Sequence, residues 1–262
     1  MTIRCSLTQK SGSPVKSHLY PQSFYPKDDS DEPMIVVGTN KGERLRRSRT
    51  GLYDHNLVTA EGEAVLAKID QAAFNVLKPF EPVAKLVERS TDFIGTKYNP
   101  SACLLSKDDA DTCLTFVASL LWRFHASGMR EASATNLGQK AEEFRLATLH
   151  QDSTKIGGFS VLINKLKDDD FAGVLTPRSF REGDLRFYEL VAGGFRFWAK
   201  ADKRPIKSNL QVAMTEIGKP PVIMIRSFTD SRSFSNFARK AIPAMKHKRL
   251  PWKPETRLKY RI

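Results

Sequence analysis

Acidic residues almost vanish from the last sixty positions of this chain. Between Lys203 and Ile262 only Glu216, Asp230 and Glu255 are acidic, against fifteen lysines and arginines. That stretch holds +12 of the chain's net +13, which leaves residues 1–202 at +1. So concentrated a field attracts polyanions and little else. Cysteine is scarce as well. Cys5, Cys103 and Cys113 are odd in number, which argues against a disulfide framework and for a reducing compartment. The longest apolar run, near Leu114–Trp122, is too short and too interrupted by Thr115 and Ser119 to span a bilayer. No basic segment followed by an apolar one opens the chain, so no secretory signal is read there. The expected location is cytoplasmic or nuclear.

Motifs that carry chemistry are missing too. The sequence holds no Walker-type phosphate loop, no Gly-x-Ser-x-Gly and no His-Glu-x-x-His. Cys103 and Cys113 have nine residues between them and His125 follows twelve positions later, whereas structural zinc sites bring two ligands within a turn. Cys113 belongs instead to the apolar stripe of a helix. Asp168–Asp170 lacks the spacing and the glycine of a calcium loop. No metal or cofactor is expected. His125 with Arg123 and Arg130 would be the one phosphodiester grouping, but a histidine near a helix C-terminus ordinarily serves the dipole. Glu81 and Lys85 have the spacing of an ordinary helix-surface pair. The expectation is therefore a protein without catalytic residues.

Residues 6–33 are rich in Ser, Pro, Lys and Asp and read as an arm with too few apolar groups to order itself. Tyr20, Phe24 and Tyr25 interrupt that polarity. Met34–Val37 resembles a short strand, and a small basic cluster follows at Arg44, Arg46, Arg47 and Arg49. From about Thr59, Ala64, Leu66, Ile69, Ala73, Val76 and Leu77 recur at spacings of three and four and predict a helix. Pro79 and Pro82 stop it and allow a short second one through Val87. The clearest helix runs from about Asp109 to Ser127, and another from Leu137 to Leu149. Phe159–Leu166 is open between helix and strand. Ser179–Glu182 matches a capping box ahead of a helical run through Leu185, Tyr188 and Val191, ended by Gly193-Gly194. Gly194–Lys200 does not fit the aromatic strand of an RNA-recognition motif, because Arg196 and Lys200 fall where small and aromatic residues belong. It reads as a strand with Phe195 and Phe197 inward and Arg196, Trp198 and Lys200 on the surface. Leu210, Val212 and Met214 alternate as in a strand, Val222–Ile225 resembles a buried strand, and Ser231–Ala244 a basic helix.

The fold class expected is mainly α. A helical core (59–175) would follow an extended, partly disordered N-terminal arm with its short basic cluster (1–58), and precede a basic C-terminal α+β module and tail (176–262).

The partner expected is nucleic acid, bound with little sequence specificity. Lysines and arginines that neutralise phosphates release condensed counterions, and arginine adds forked hydrogen bonds and stacking. The candidate contacts are Arg44, Arg46, Arg47, Arg49, Lys203, Arg204, Lys207, Arg226, Arg232, Arg239, Lys240, Lys246, Lys248, Arg249, Lys253, Arg257 and Lys259. Trp252 and Tyr260 lie between tail charges and are stacking candidates, which favours single-stranded RNA or DNA. Lys246–Arg249, with Arg239-Lys240 upstream, also matches a short nuclear-import pattern. The layout suits a nucleocapsid or coat-type protein that forms homo-oligomers through its N-terminal arm. The alternatives are a matrix or assembly protein whose tail lies on anionic membrane or on an acidic partner, and a nucleic-acid-processing enzyme.

Overall fold

The computed structural model describes residues 2–25, 34–36, 46–48, 50–77, 93–96, 99–166, 174–206, 210–219 and 222–226. Six short strands open the chain: β1 (Ile3–Arg4), β2 (Ser11–Gly12), β3 (Ser17–His18), β4 (Met34–Val36), β5 (Arg46–Ser48) and β6 (Tyr53–Asp54). They pair antiparallel as β1–β2, β3–β6 and β4–β5. Helix α1 (Ala60–Leu77) follows, then β7 (Phe93–Thr96), β8 (Asn99–Leu104), α2 (Lys107–Ala126) and α3 (Ala141–His150). Strands β9 (Phe159–Leu166), β10 (Leu175–Glu182), β11 (Leu185–Ala192) and β12 (Phe195–Ala201), the one-turn helix α4 (Leu210–Ala213) and β13 (Val222–Arg226) complete the described chain.

This is a mixed α/β fold, not a mainly α one. Among the described residues seven strands form one sheet in the order β10-β11-β12-β9-β13-β8-β7, antiparallel except where β13 runs parallel to β9. The helical run expected after Ser179 accounts for the difference. Ser179–Glu182 ends β10, and Leu185, Tyr188 and Val191 belong to β11, its hairpin partner. Gly183, at φ +57°, turns the chain in two residues, and Gly193-Gly194, at +59° and +72°, do the same between β11 and β12. Two-residue hairpin loops need such left-handed positions, and glycine supplies them without a Cβ clash. Leu210–Ala213, expected to alternate as a strand, is a helical turn, and Thr215 alone bridges to Val161 of β9. The stretch Phe159–Leu166 resolves as a strand buried along its whole length.

The helices form as their apolar spacing dictates. In α1, Leu66, Ile69, Ala73 and Leu77 are buried and Glu61 and Glu63 occupy the first turn. In α2 the Ser106 hydroxyl accepts from the Asp109 amide while the Asp109 carboxylate accepts from the Ser106 amide, a closed capping box. Every residue from Cys113 to Phe124 is buried. An amphipathic helix needs one covered face, whereas α2 is covered on all of them. It packs against α1, α3 and β9.

Part of that cover comes from the segment expected to be an arm. Cys5, Leu7, Leu19, Tyr20, Phe24 and Tyr25 are buried in the same core as α2 and the sheet. The Phe24 ring stacks on Phe116 at 5.0 Å, and Tyr20 packs edge-on against Phe124 at 4.9 Å. The Tyr20 hydroxyl donates to the Leu175 carbonyl of β10 (2.9 Å). Average polarity misleads here, because the few apolar side chains of residues 2–25 turn inward. Residues 26–33, also in the expected arm, lie outside the described residues, as do the short helix through Val87 and the helix at Ser231–Ala244.

Strands β9, β11 and β12 are covered on both faces. Val161, Ile163, Leu190, Phe195, Phe197 and Ile223 face the helices, while Leu162 and Phe187 on the other face meet Ile206 and Met214. Phe195 and Phe197 are inward as expected, but Arg196 and Lys200 are not surface residues, being 6% and 5% exposed.

Phe24→Ala should cost about 3–5 kcal/mol, the usual range for emptying a buried aromatic site. A Cβ on Gly193 would stand 2.6 Å from the Phe24 ring, so Gly193→Ala should also destabilise the fold. Urea unfolding midpoints measure both. A wild-type midpoint for Phe24→Ala would mean that residues 2–25 do not belong to the core.

Candidate nucleic-acid interface

Most of the cationic side chains in the folded body are engaged by the fold itself. Arg123, in the last turn of α2, is 1% exposed. Its guanidinium donates to both carboxylate oxygens of Asp70 on α1 (2.6 and 3.1 Å) and to the His18 carbonyl of β3 (3.3 Å). It thus ties the N-terminal segment to both helices and faces inward, away from His125. The His125 ring sits against the backbone of Thr135 and Leu137. These two members of the grouping set aside in the sequence point to different partners.

Arg145 forms a two-pronged contact with Glu142 and also donates to the Leu7 carbonyl. On the outer sheet face Arg178 and the Trp198 indole N–H both donate to Glu189, the latter at 2.9 Å. Arg178 lies 5.6 Å from the Phe180 ring centre and Arg196 lies 5.2 Å from that of Trp198. Lys200 donates its ammonium to three carbonyls, those of Gly158, Asp202 and Arg204. Burial lowers its pKa, and the carbonyl cage explains why a lysine is kept there. Cys113 is buried in the stripe of α2, where desolvation pushes its thiol up to about 12.

Few of the basic residues expected to touch nucleic acid fall among the described residues. Arg46 and Arg47 lie in β5, opposite Val36 and Ile35 of β4. Lys203 and Arg204 follow β12. The Lys203 ammonium stands 3.7 Å from Glu143. Arg204 grips the Asp202 carboxylate through two nitrogens, which holds that carboxyl well below the usual carboxylate range, and donates to the Asp184 carbonyl (2.7 Å). Arg226 is exposed at the end of β13. Arg44, Arg49, Lys207 and every candidate from Arg232 to Tyr260 lie outside the described residues.

Two arginines that the sequence did not single out differ from these. Arg181 of β10 and Arg186 of β11 are direct cross-strand partners beside the Gly183-Asp184 turn, and both are exposed. Arg181 donates to the Asp184 carbonyl (3.2 Å), and the Arg186 guanidinium lies 5.0 Å from the Tyr188 ring centre. Among the described residues neither has a carboxylate within 4 Å. The signal that could have found them is the alternation of Phe180, Glu182, Leu185 and Phe187 about a Gly-Asp turn, which the capping-box reading concealed.

Comparison with known proteins gave no match to a family model, a curated protein or a solved structure.

Removing Asp70 would leave a buried guanidinium unpaired, so Asp70→Ala should cost about 3–5 kcal/mol in urea unfolding. His18 offers a test by pH. Its ring meets the Thr50 carbonyl at 3.0 Å, and burial, followed by the Lys16 ammonium, lowers its pKa below 6.5. Below about pH 6.5 the unfolded chain then binds more protons at this site than the folded one. Stability from His18 is complete above that pH and is lost as pH falls through the lowered folded value. Urea midpoints should therefore fall between about pH 7.5 and about pH 5.5 more steeply in wild type than in His18→Gln. Equal slopes would remove His18 from the account.

Proposed function

We propose that this protein binds single-stranded nucleic acid, RNA or DNA, through its phosphates, with little sequence specificity and without catalysing a reaction on it. The observation that carries this reading is the charge distribution: +12 in residues 203–262 against +1 in the rest. The ion pairs of the body add support. Arg123, Arg145 and Arg178 are each held by a carboxylate. Much of the positive charge in the body is thus balanced locally, and most of the excess sits where acids are lacking. Trp252 and Tyr260 among the tail charges favour a strand whose bases are free to stack. No helix among the described residues is long and apolar enough to cross a membrane. A coat- or nucleocapsid-type role, in the cytoplasm or nucleus, is the setting we favour. Assembly through an N-terminal arm would have to do without residues 2–25, which are committed to the core.

The test is a salt titration of binding by the full chain to labelled single-stranded RNA, single-stranded DNA, duplex DNA and anionic vesicles. If about half of the fifteen tail charges touch phosphate, log K against log salt should slope at about −5 to −7 for the single strands. The triple variant Lys246→Gln, Lys248→Gln, Arg249→Gln should flatten that slope by roughly 0.7–0.9 for each phosphate no longer neutralised. Preference for vesicles would replace this reading with a membrane-associated one, and absence of binding to every polyanion would overturn it.

A further inference from the structure

We infer that Arg181 and Arg186 form a clamp for the phosphodiester backbone of a single strand, built on the β10–β11 hairpin and separate from the basic tail. This rests on the nucleic-acid reading above and gives it a point of attachment on the folded body.

Placing these two residues together carries a cost. Side chains directly opposite on one face of an antiparallel pair have Cβ atoms about 4.5–5.5 Å apart, and like charges there are destabilising. Opposite charges at such positions would attract instead. Here two arginines face each other one step from a tight turn. Neither is neutralised by a carboxylate within 4 Å among the described residues. The rest of the hairpin shows that this is not for want of acids. Three positions back along β10, Arg178 and Glu189 are also cross-strand partners, and there the pair is of opposite sign and bonded. Glu182 follows Arg181 directly, but successive side chains of a strand point to opposite faces, which places it across the sheet from the arginine pair. Asp184, in the turn, gives Arg181 its carbonyl, not its carboxylate.

Each guanidinium is nevertheless oriented. Arg181 is fixed by that carbonyl, and Arg186 lies over Tyr188, whose hydroxyl donates to the Asn136 carbonyl and so anchors the ring. A carbonyl and a π face both steady a cation without cancelling its charge. What results is a pair of planar forks, each held in place with donors to spare, a chemistry suited to phosphate oxygens. An anion bridging both forks would relieve the repulsion between them, and two adjacent phosphates of one strand supply such an anion.

The deciding experiment uses the full chain with labelled oligouridylate and oligothymidylate, and compares wild type, Arg181→Gln/Arg186→Gln and Arg181→Glu. The double glutamine variant should flatten the salt slope by about 1.4–1.8, two phosphates at roughly 0.7–0.9 each, and bind more weakly at low salt. Arg181→Glu should bind weakly too, yet melt at or above the wild-type temperature, because it converts the repelling pair into an attracting one. Opposite movement of affinity and stability is the signature of a ligand site. Wild-type slopes in both variants, with wild type binding normally, would overturn the clamp and leave the tail reading standing. A melting temperature that falls in both variants while affinity holds would make the pair structural and also overturn it. Failure of wild type to bind either oligomer would overturn the clamp together with the function on which it rests.

Discussion

The burial of α2 on every side is the constraint on which the rest of the structure depends. A helix with no solvent face needs partners all round, and this chain supplies them from four stretches: residues 2–25, α1, α3 and the sheet. Phe116 shows how they meet. Its ring stacks on Phe24 from the N-terminal segment and packs edge-on against Phe197 of β12 at 6.1 Å. One side chain thus joins the first twenty-five residues, the central helix and the sheet. Arg123, two turns further along, repeats the pattern in polar form by joining α1, α2 and β3. Aromatic contact brings the segments together without fixing their register, whereas a forked ion pair in a buried setting fixes it.

Legibility in the sequence followed the range of the signals. Helices α1 and α2 were readable because period and caps lie within one segment, and their limits fall within two residues of those expected. Strands β4 and β13 were readable as short apolar runs. The hairpins were not. Ser179-Phe180-Arg181-Glu182 satisfies a helix-start pattern locally, and only pairing with residues 185–191 overrules it. The N-terminal segment was misread for a related reason. Composition averages over residues, while burial is decided by where Tyr20, Phe24 and Tyr25 can reach. Of the expected nucleic-acid ligands, Lys203 and Arg204 have neighbours that sequence could not reveal, since Glu143 lies sixty residues from Lys203 and reaches it only through the fold.

The same contrast separates two uses of arginine. In the body it works mainly as a structural fastener, its charge balanced by a nearby carboxylate and its donors taken up by carbonyls. In the last sixty residues Arg204 takes Asp202 in the same way, but three acids cannot serve fifteen cations. A single residue type therefore serves cohesion in one part and attraction of a partner in the other. Local acid content, more than total charge, tells them apart.

The place of β13 bears on how this chain is made. It is the last described strand in sequence, yet it lies inside the sheet, parallel to β9 on one side and antiparallel to β8 on the other. Among the described residues nothing else links β8 to β9 within the sheet. During synthesis, β7 and β8 must therefore wait for more than a hundred residues before their neighbour leaves the ribosome. Until then, each half of the sheet has an unpaired edge facing the gap. Such an edge invites pairing with another chain, so the nascent protein needs that gap kept clear, and slow, late closure is built into its topology.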